Sequence, residues 1–121
     1  MLPLEEFVDF CMEKPGVTQD FPFDKKTMVF KLMGKIFVLA NIELWNNGEA
    51  SINLKNKPEI NIKLRQQYSS IIPGYHMNKK HWNTVQISEE ELDRDLVFAL
   101  IDQSYEIVKS KLSEKDKKAL L

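Results

Sequence analysis

Apolar residues recur at helical spacing at the start of the chain, where Leu4, Phe7, Val8 and Cys11 form one stripe and Glu5, Glu6, Asp9 and Glu13 lie opposite. The pattern predicts an amphipathic first helix, closed by Pro15-Gly16. Residues 18–24, with Pro22 between two phenylalanines, read as a loop. The period then changes. Residues 27–32, 36–42 and 50–54 are short apolar or alternating runs, separated by Met33-Gly34-Lys35 and by Trp45-Asn46-Asn47-Gly48. Asn-Gly tolerates positive φ and is a strong hairpin signal, so these runs predict a three-stranded antiparallel meander. A second helix is expected after Asn56 or Lys57, with Pro58 in its first turn and Ile60, Leu64 and Tyr68 as its buried stripe. Residues 69–74 read as a connector. Residues 75–77 and 82–87 read as two more strands around Asn78-Lys79-Lys80-His81. Ser88-Glu89-Glu90-Glu91 matches a capping box and predicts the start of a long helix, with Leu92, Leu96, Ala99, Leu100, Gln103, Ile107 and Leu112 facing the core. Ser113 is placed to cap one short terminal turn.

The predicted order is α-β-β-β-α-β-β-α. Hairpin connections make the sheet antiparallel, so the fold class is α+β, with the helices packed on one face of the sheet. At 121 residues the chain fits a single domain spanning 1–121 and can bury a core without a disulfide or metal staple. One cysteine, Cys11, fits a reducing compartment, and its place on the apolar stripe makes it a core residue rather than a nucleophile. The N-terminus carries acids where a secretory signal would carry bases. The longest apolar stretch, residues 36–40, is far too short to span a bilayer. The expectation is a soluble, cytoplasmic protein with no membrane partner.

Charge changes the picture by its distribution. The net charge is −1, yet residues 25–82 carry ten Lys or Arg against three acids, while both flanks are acidic. Such an asymmetry can build a basic patch on a near-neutral molecule, or it can reflect a preference of acids for helices. Within the basic segment, Lys79 and Lys80 at a hairpin tip can reach phosphates. His76, Asn78 and His81 can add hydrogen bonds, and Trp82 or Tyr75 offers a face for stacking. Lys31 and Lys35 flank the first hairpin turn, and Arg65, Lys55 and Lys57 can extend the patch. Lysines at hairpin tips also blunt sheet edges, so a purely structural role stays open. No cofactor loop, metal-ligand spacing or catalytic motif is present, and the protein is not expected to be an enzyme.

The run Ile-Pro-Gly-Tyr-His-Met-Asn-Lys-Lys-His-Trp-Asn-Thr-Val at residues 72–85 resembles the signature of the MmcQ/YjbR family. Lys57-Pro58-Glu59 after a strand, and the closing helix through Ser104-Tyr105, are similar to that family as well. The resemblance implies a YjbR-like α+β fold, close to the architecture of bacterial secretion chaperones. It also implies DNA binding through two β-hairpin wings; with the hairpin lysines placed to reach the phosphate backbone and no recognition-helix pattern of base-reading Arg, Asn or Gln, little sequence specificity is expected. The alternative is a protein-interaction or small-ligand-binding module that uses the surface of Tyr75, His76 and Trp82.

Overall fold

The structure is a computed structural model that describes residues 2–75, 77–88 and 90–121. The first helix, α1 (Leu4–Met12), buries Phe7 and Cys11, with Leu4 and Val8 half-buried beside them, as its spacing requires. Phe7 anchors it: its ring stacks on Trp45 at 4.8 Å and meets Phe30 edge-on at 5.5 Å. Truncating so fully enclosed an aromatic ring typically costs about 3–5 kcal/mol. The chain leaves α1 through Gly16, whose φ of +77° suits glycine. A Cβ there would also run into the Leu120 side chain.

Among the described residues six strands follow, β1 (Val17–Asp20), β2 (Thr27–Leu32), β3 (Lys35–Asn41), β4 (Ser51–Lys55), β5 (Ile71–Pro73) and β6 (Trp82–Gln86). They form one antiparallel sheet in the order β1-β2-β3-β4-β6-β5. The α+β class and antiparallel sheet match the sequence reading, but the strand list needs two corrections. Residues 17–20, read largely as loop, pair with β2 as an edge strand. The strand expected at 75–77 lies instead at Ile71–Pro73, within the stretch read as a connector. Pro73 lacks an N–H, which an edge position tolerates.

A short helix, α2 (Ile42–Asn46), replaces the tight hairpin turn expected between β3 and β4, because the Asn41 side chain accepts from the Leu44 N–H and caps it. The helix α3 (Pro58–Gln67) begins after Lys57 and packs half-buried Leu64 and the following Tyr68 against the core, as expected, but its fully buried residue is Asn61. The long helix α4 (Arg94–Ser110) starts only beyond the apparent capping box at residues 88–91, with Asp93 as its cap. Its buried face is Val97, Leu100, Ile101, Ser104, Tyr105 and Val108; Leu92, Leu100 and Leu112 are buried as expected, but within the helix the stripe is otherwise rotated by one residue, with Leu96 and Ile107 only half-buried. Ala99 and Gln103 are exposed. The chain ends in α5 (Glu114–Ala119), capped by Ser113.

Alternation divides the sheet into two faces. Met28, Phe30, Leu32, Val38, Ala40, Ile52, Leu54 and Val85 join Phe7, Ile101 and Tyr105 in the helix-side core. A bulge interrupts β3, because Phe30 pairs with Val38 while Lys31 pairs with Ile36. The extra residue, Phe37, meets Tyr105 edge-on at 5.5 Å, within the same core. Buried Ser104 binds both central strands, donating to the Phe37 carbonyl at 2.6 Å and accepting from the Lys55 N–H at 2.9 Å.

Candidate functional site

Strand direction decides which charges meet. The β2–β3 turn, the exit of β4 and the β5–β6 connection all lie at one end of the sheet, since Leu32 pairs with Lys35, Lys55 with Trp82 and Pro73 with Asn83. That end therefore carries Lys35 on β3, Lys55 on β4, Lys57 at the start of α3, and Lys79 and Lys80 in the connection. Lys111 arrives from the C-terminal cap of α4. The Lys55 ammonium lies 5.9 Å from the centre of the Trp82 ring, within reach of a cation–π attraction. Burial lowers the Lys55 pKa, and repulsion from Lys111 and then Lys35 lowers it further.

The candidates from the sequence meet different fates at this end. Arg65 is engaged with the fold: its Nε donates to Asn83 Oδ1 at 2.6 Å, and its Nη2 donates to the carbonyls of Lys79 and Trp82. Lys79 is exposed, and its Nζ donates to the Gly74 carbonyl at 3.0 Å across its own loop. Asn78 accepts from the Lys80 N–H and shapes the turn, leaving the Lys80 side chain exposed. His81 is half-buried and its carbonyl accepts from the Asn56 N–H. Trp82 is half-buried, with Gly74 so close that a Cβ there would lie 2.9 Å from the Trp82 Cβ. Lys31 pairs with Asp20 at 3.3 Å, and Lys35 is exposed. His76 lies outside the described residues.

Sequence reasoning missed two features of this region. Lys111 belongs to an acidic third of the chain and gave no signal. Asn61 donates to the carbonyls of Asn56 and Lys80, and Asn83 donates back to the Asn61 carbonyl. These amides fasten the Lys79–Lys80 loop to α3. Polar residues in an amphipathic pattern are read as solvent-facing, so only the tertiary contact reveals them.

A further feature lies on the sheet face opposite the main core. Val29, Leu39, Asn53, Thr84 and Ile72 are cross-strand partners in a row from β2 to β5. Val29 is 0% and Leu39 7% exposed. Around part of this row opens a concavity of about 640 Å³, walled by Phe23, Ile36, Leu44, Tyr75 and Met77. Phe23 and Tyr75 are 66% and 70% exposed. Thr84 donates to Asn53 at 2.6 Å and accepts from the Tyr75 N–H at 3.0 Å, which fixes the Tyr75 backbone above the sheet. No described residue lining the concavity carries a charged side chain.

Elsewhere, burial pushes the Cys11 thiol up to about 12, which keeps it protonated and unreactive. Among the described residues, no three His, Cys, Asp or Glu side chains converge as metal ligands, and no helix is long and apolar enough to cross a membrane.

The fold and sequence have clear relatives. The YjbR family model matches residues 12–107. The uncharacterized protein YbdF of Escherichia coli O157:H7 is 43% identical over 89% of this chain and 85% of its own. The uncharacterized proteins YjbR of Escherichia coli K12 and YyaQ of Bacillus subtilis are each 32% identical, over 99% and 90% of this chain and 98% and 100% of their own. The crystal structure of Deinococcus radiodurans DR2400, described by the domain DUF419, superposes with a TM-score of 0.88 at 34% identity, covering 99% of this chain and 88% of that one. A Pseudomonas syringae crystal structure gives 0.74 at 29% identity, covering 88% and 98%. With its family match and relatives aligned along nearly their whole length, the chain belongs to the YjbR family.

Proposed function

We propose that this protein is a non-catalytic, cytoplasmic binding protein that holds the phosphate backbone of nucleic acid, DNA foremost, against the basic end of its sheet. The observation that carries the reading is the meeting of Lys35, Lys55 and Lys111 from three elements, close enough that the first and last both depress the middle one. Like charges gathered this way repel one another, and an anion laid across them relieves that repulsion. Lys57 and Lys80, exposed on either side, widen the surface, and Lys79 adds an exposed charge on the same loop.

The β2–β3 turn and the β5–β6 connection support a two-winged contact. They leave the same end of the sheet about 14 Å apart, taking ~4.8 Å between neighbouring strands. Both wings are loops and not a recognition helix, which favours contact with the backbone over reading of base edges. A non-catalytic role is favoured by the concavity, whose described lining holds no carboxylate, histidine or cysteine.

The test is a salt titration of binding to a labelled mixed-sequence 20-mer, as duplex and as single strand. Each phosphate contact contributes about −0.9 to the log–log slope on duplex and about −0.7 on single strand. Lys35→Ala/Lys55→Ala/Lys111→Ala should flatten that slope by about two units or more, and Lys79→Ala/Lys80→Ala by less. Absence of binding to both forms at low salt would overturn the reading.

A further inference from the structure

We infer that the open sheet face is a base-stacking site, so that the nucleic acid this protein prefers is a single strand. The inference rests on the phosphate-binding reading above and names its substrate class. Three properties of the concavity select the occupant.

The first is its aromatic lining. Phe23 and Tyr75 stand largely exposed around an apolar floor that includes Leu39 and Ile72. Exposed aromatic side chains beside a sheet are how single-stranded bases are held, each stacked base contributing about 1–3 kcal/mol. A duplex keeps its base faces stacked internally and offers nothing to such a surface.

The second is polarity without charge. Asn53, Thr84 and Gln86 lie among the lining residues, and amide side chains match the donor and acceptor edges of bases. Thr84 already donates to Asn53 Oδ1, which leaves the Asn53 amide N–H groups and the Gln86 amide to meet a base edge, while an anionic ligand would find no countercharge within the lining. The opening of about 640 Å³ lies in the range of sites that enclose drug-sized ligands, about 300–1,000 Å³, which accommodates one or two bases.

The third is where the charge begins. On this same face, Lys31 pairs across the sheet with Ile36 and Lys55 with Trp82, one row beyond the floor towards the basic end. A neutral aromatic surface bordered by Lys55 beside Trp82, with Lys31 held by Asp20 further along the row, matches a strand whose bases lie on the sheet and whose phosphates reach the rim. An apolar peptide would use the floor but not the lysines.

The experiment compares a labelled 12-mer of thymidine with an abasic 12-mer of the same backbone, using the full chain and its Phe23→Ala and Tyr75→Ala variants. Both side chains are exposed, and unchanged thermal melting checks that the variants fold. The expected result is that thymidine binds at least tenfold more tightly than the abasic strand. Each variant should lose roughly five- to a hundredfold for thymidine while keeping abasic binding and the salt slope. Equal binding of the two strands, or variants that bind thymidine normally, would overturn the inference and leave the phosphate reading standing. Failure of both strands to bind at low salt would overturn the inference, and failure of a duplex as well would overturn the phosphate reading. A concentration-dependent dimer that Tyr75→Ala dissociates would assign the face to a second copy of the chain and equally overturn the inference.

Discussion

Cys11 illustrates how burial at one residue becomes a property of the protein. Its thiol ordinarily titrates near 9.0; burial, opposed by Lys14 and aided by Asp102, raises it to about 12. Between those values the native state keeps a proton that the unfolded chain has lost, so unfolding releases a proton and stability falls as pH rises. The contribution is fully present below about pH 9 and is lost progressively towards pH 12. The slope cannot exceed about 1.4 kcal/mol per pH unit for one group. Tyr105 acts in the same direction, raised by burial and then by Glu106. Cys11→Ala should remove only the cysteine's share. Urea unfolding at pH 8 to 10.5 is expected to show a shallower decline in the variant than in the parent, and parallel declines would rule out the burial argument. This residue was legible in the sequence because it sits on an apolar stripe. Ser104 and Asn61 were not, since each is a polar residue whose burial depends on partners 67 and 22 positions away.

At the scale of elements, signals that depend on neighbours along the chain were readable where no distant partner competed for them. The spacing of α1, the alternation of β4 and the Pro58 start of α3 all stand in the structure. The apparent capping box at residues 88–91 does not. Glu91 turns away to accept from Ser69 Oγ at 2.7 Å and from the Ser70 N–H, tying the segment to the start of β5, and α4 is capped by Asp93 at 2.8 Å from the Leu96 N–H. Reading the helix from the wrong cap also turned its expected buried stripe by one residue. The two capping assignments separate cleanly by mutation. Asp93→Ala should cost about 1 kcal/mol, whereas Ser88→Ala should stay within about 0.5 kcal/mol. Chemical denaturation of both variants measures this, and the reverse ranking would restore the capping box. The edge strands β1 and β5 escaped the sequence reading for a related reason. Val17–Asp20 has little apolar alternation and Ile71–Pro73 ends in proline, so pairing with β2 and β6 is what makes them strands.

At the scale of the whole molecule, the basic middle of the chain was visible in the sequence, but its assembly into a cluster was not. Summing charge by segment counts Lys111 with the acidic C-terminal third, while the fold returns it to the end of the sheet that holds Lys35 and Lys55. Antiparallel order does the gathering, because it places the start of β3 and the exit of β4 at the same end. Relieving that repulsion must move a measurable quantity. Lys35→Ala and Lys111→Ala should each raise the Lys55 pKa towards its ordinary value, the second more than the first, whereas Lys80→Ala should leave it unchanged. The burial contribution remains in every variant, so no single substitution restores the value fully. The sign extends to ligand binding. Phosphates laid over the cluster favour the charged ammonium, so bound nucleic acid should also raise the Lys55 pKa, with proton uptake on binding in the alkaline range just above the depressed value. Titration of the Lys55 side-chain resonances by NMR, with and without a 12-mer strand, reads both effects. A Lys55 pKa indifferent to Lys35, Lys111 and nucleic acid alike would mean that the cluster is a set of independent solvated charges, and the phosphate surface would then have to be sought elsewhere on the molecule.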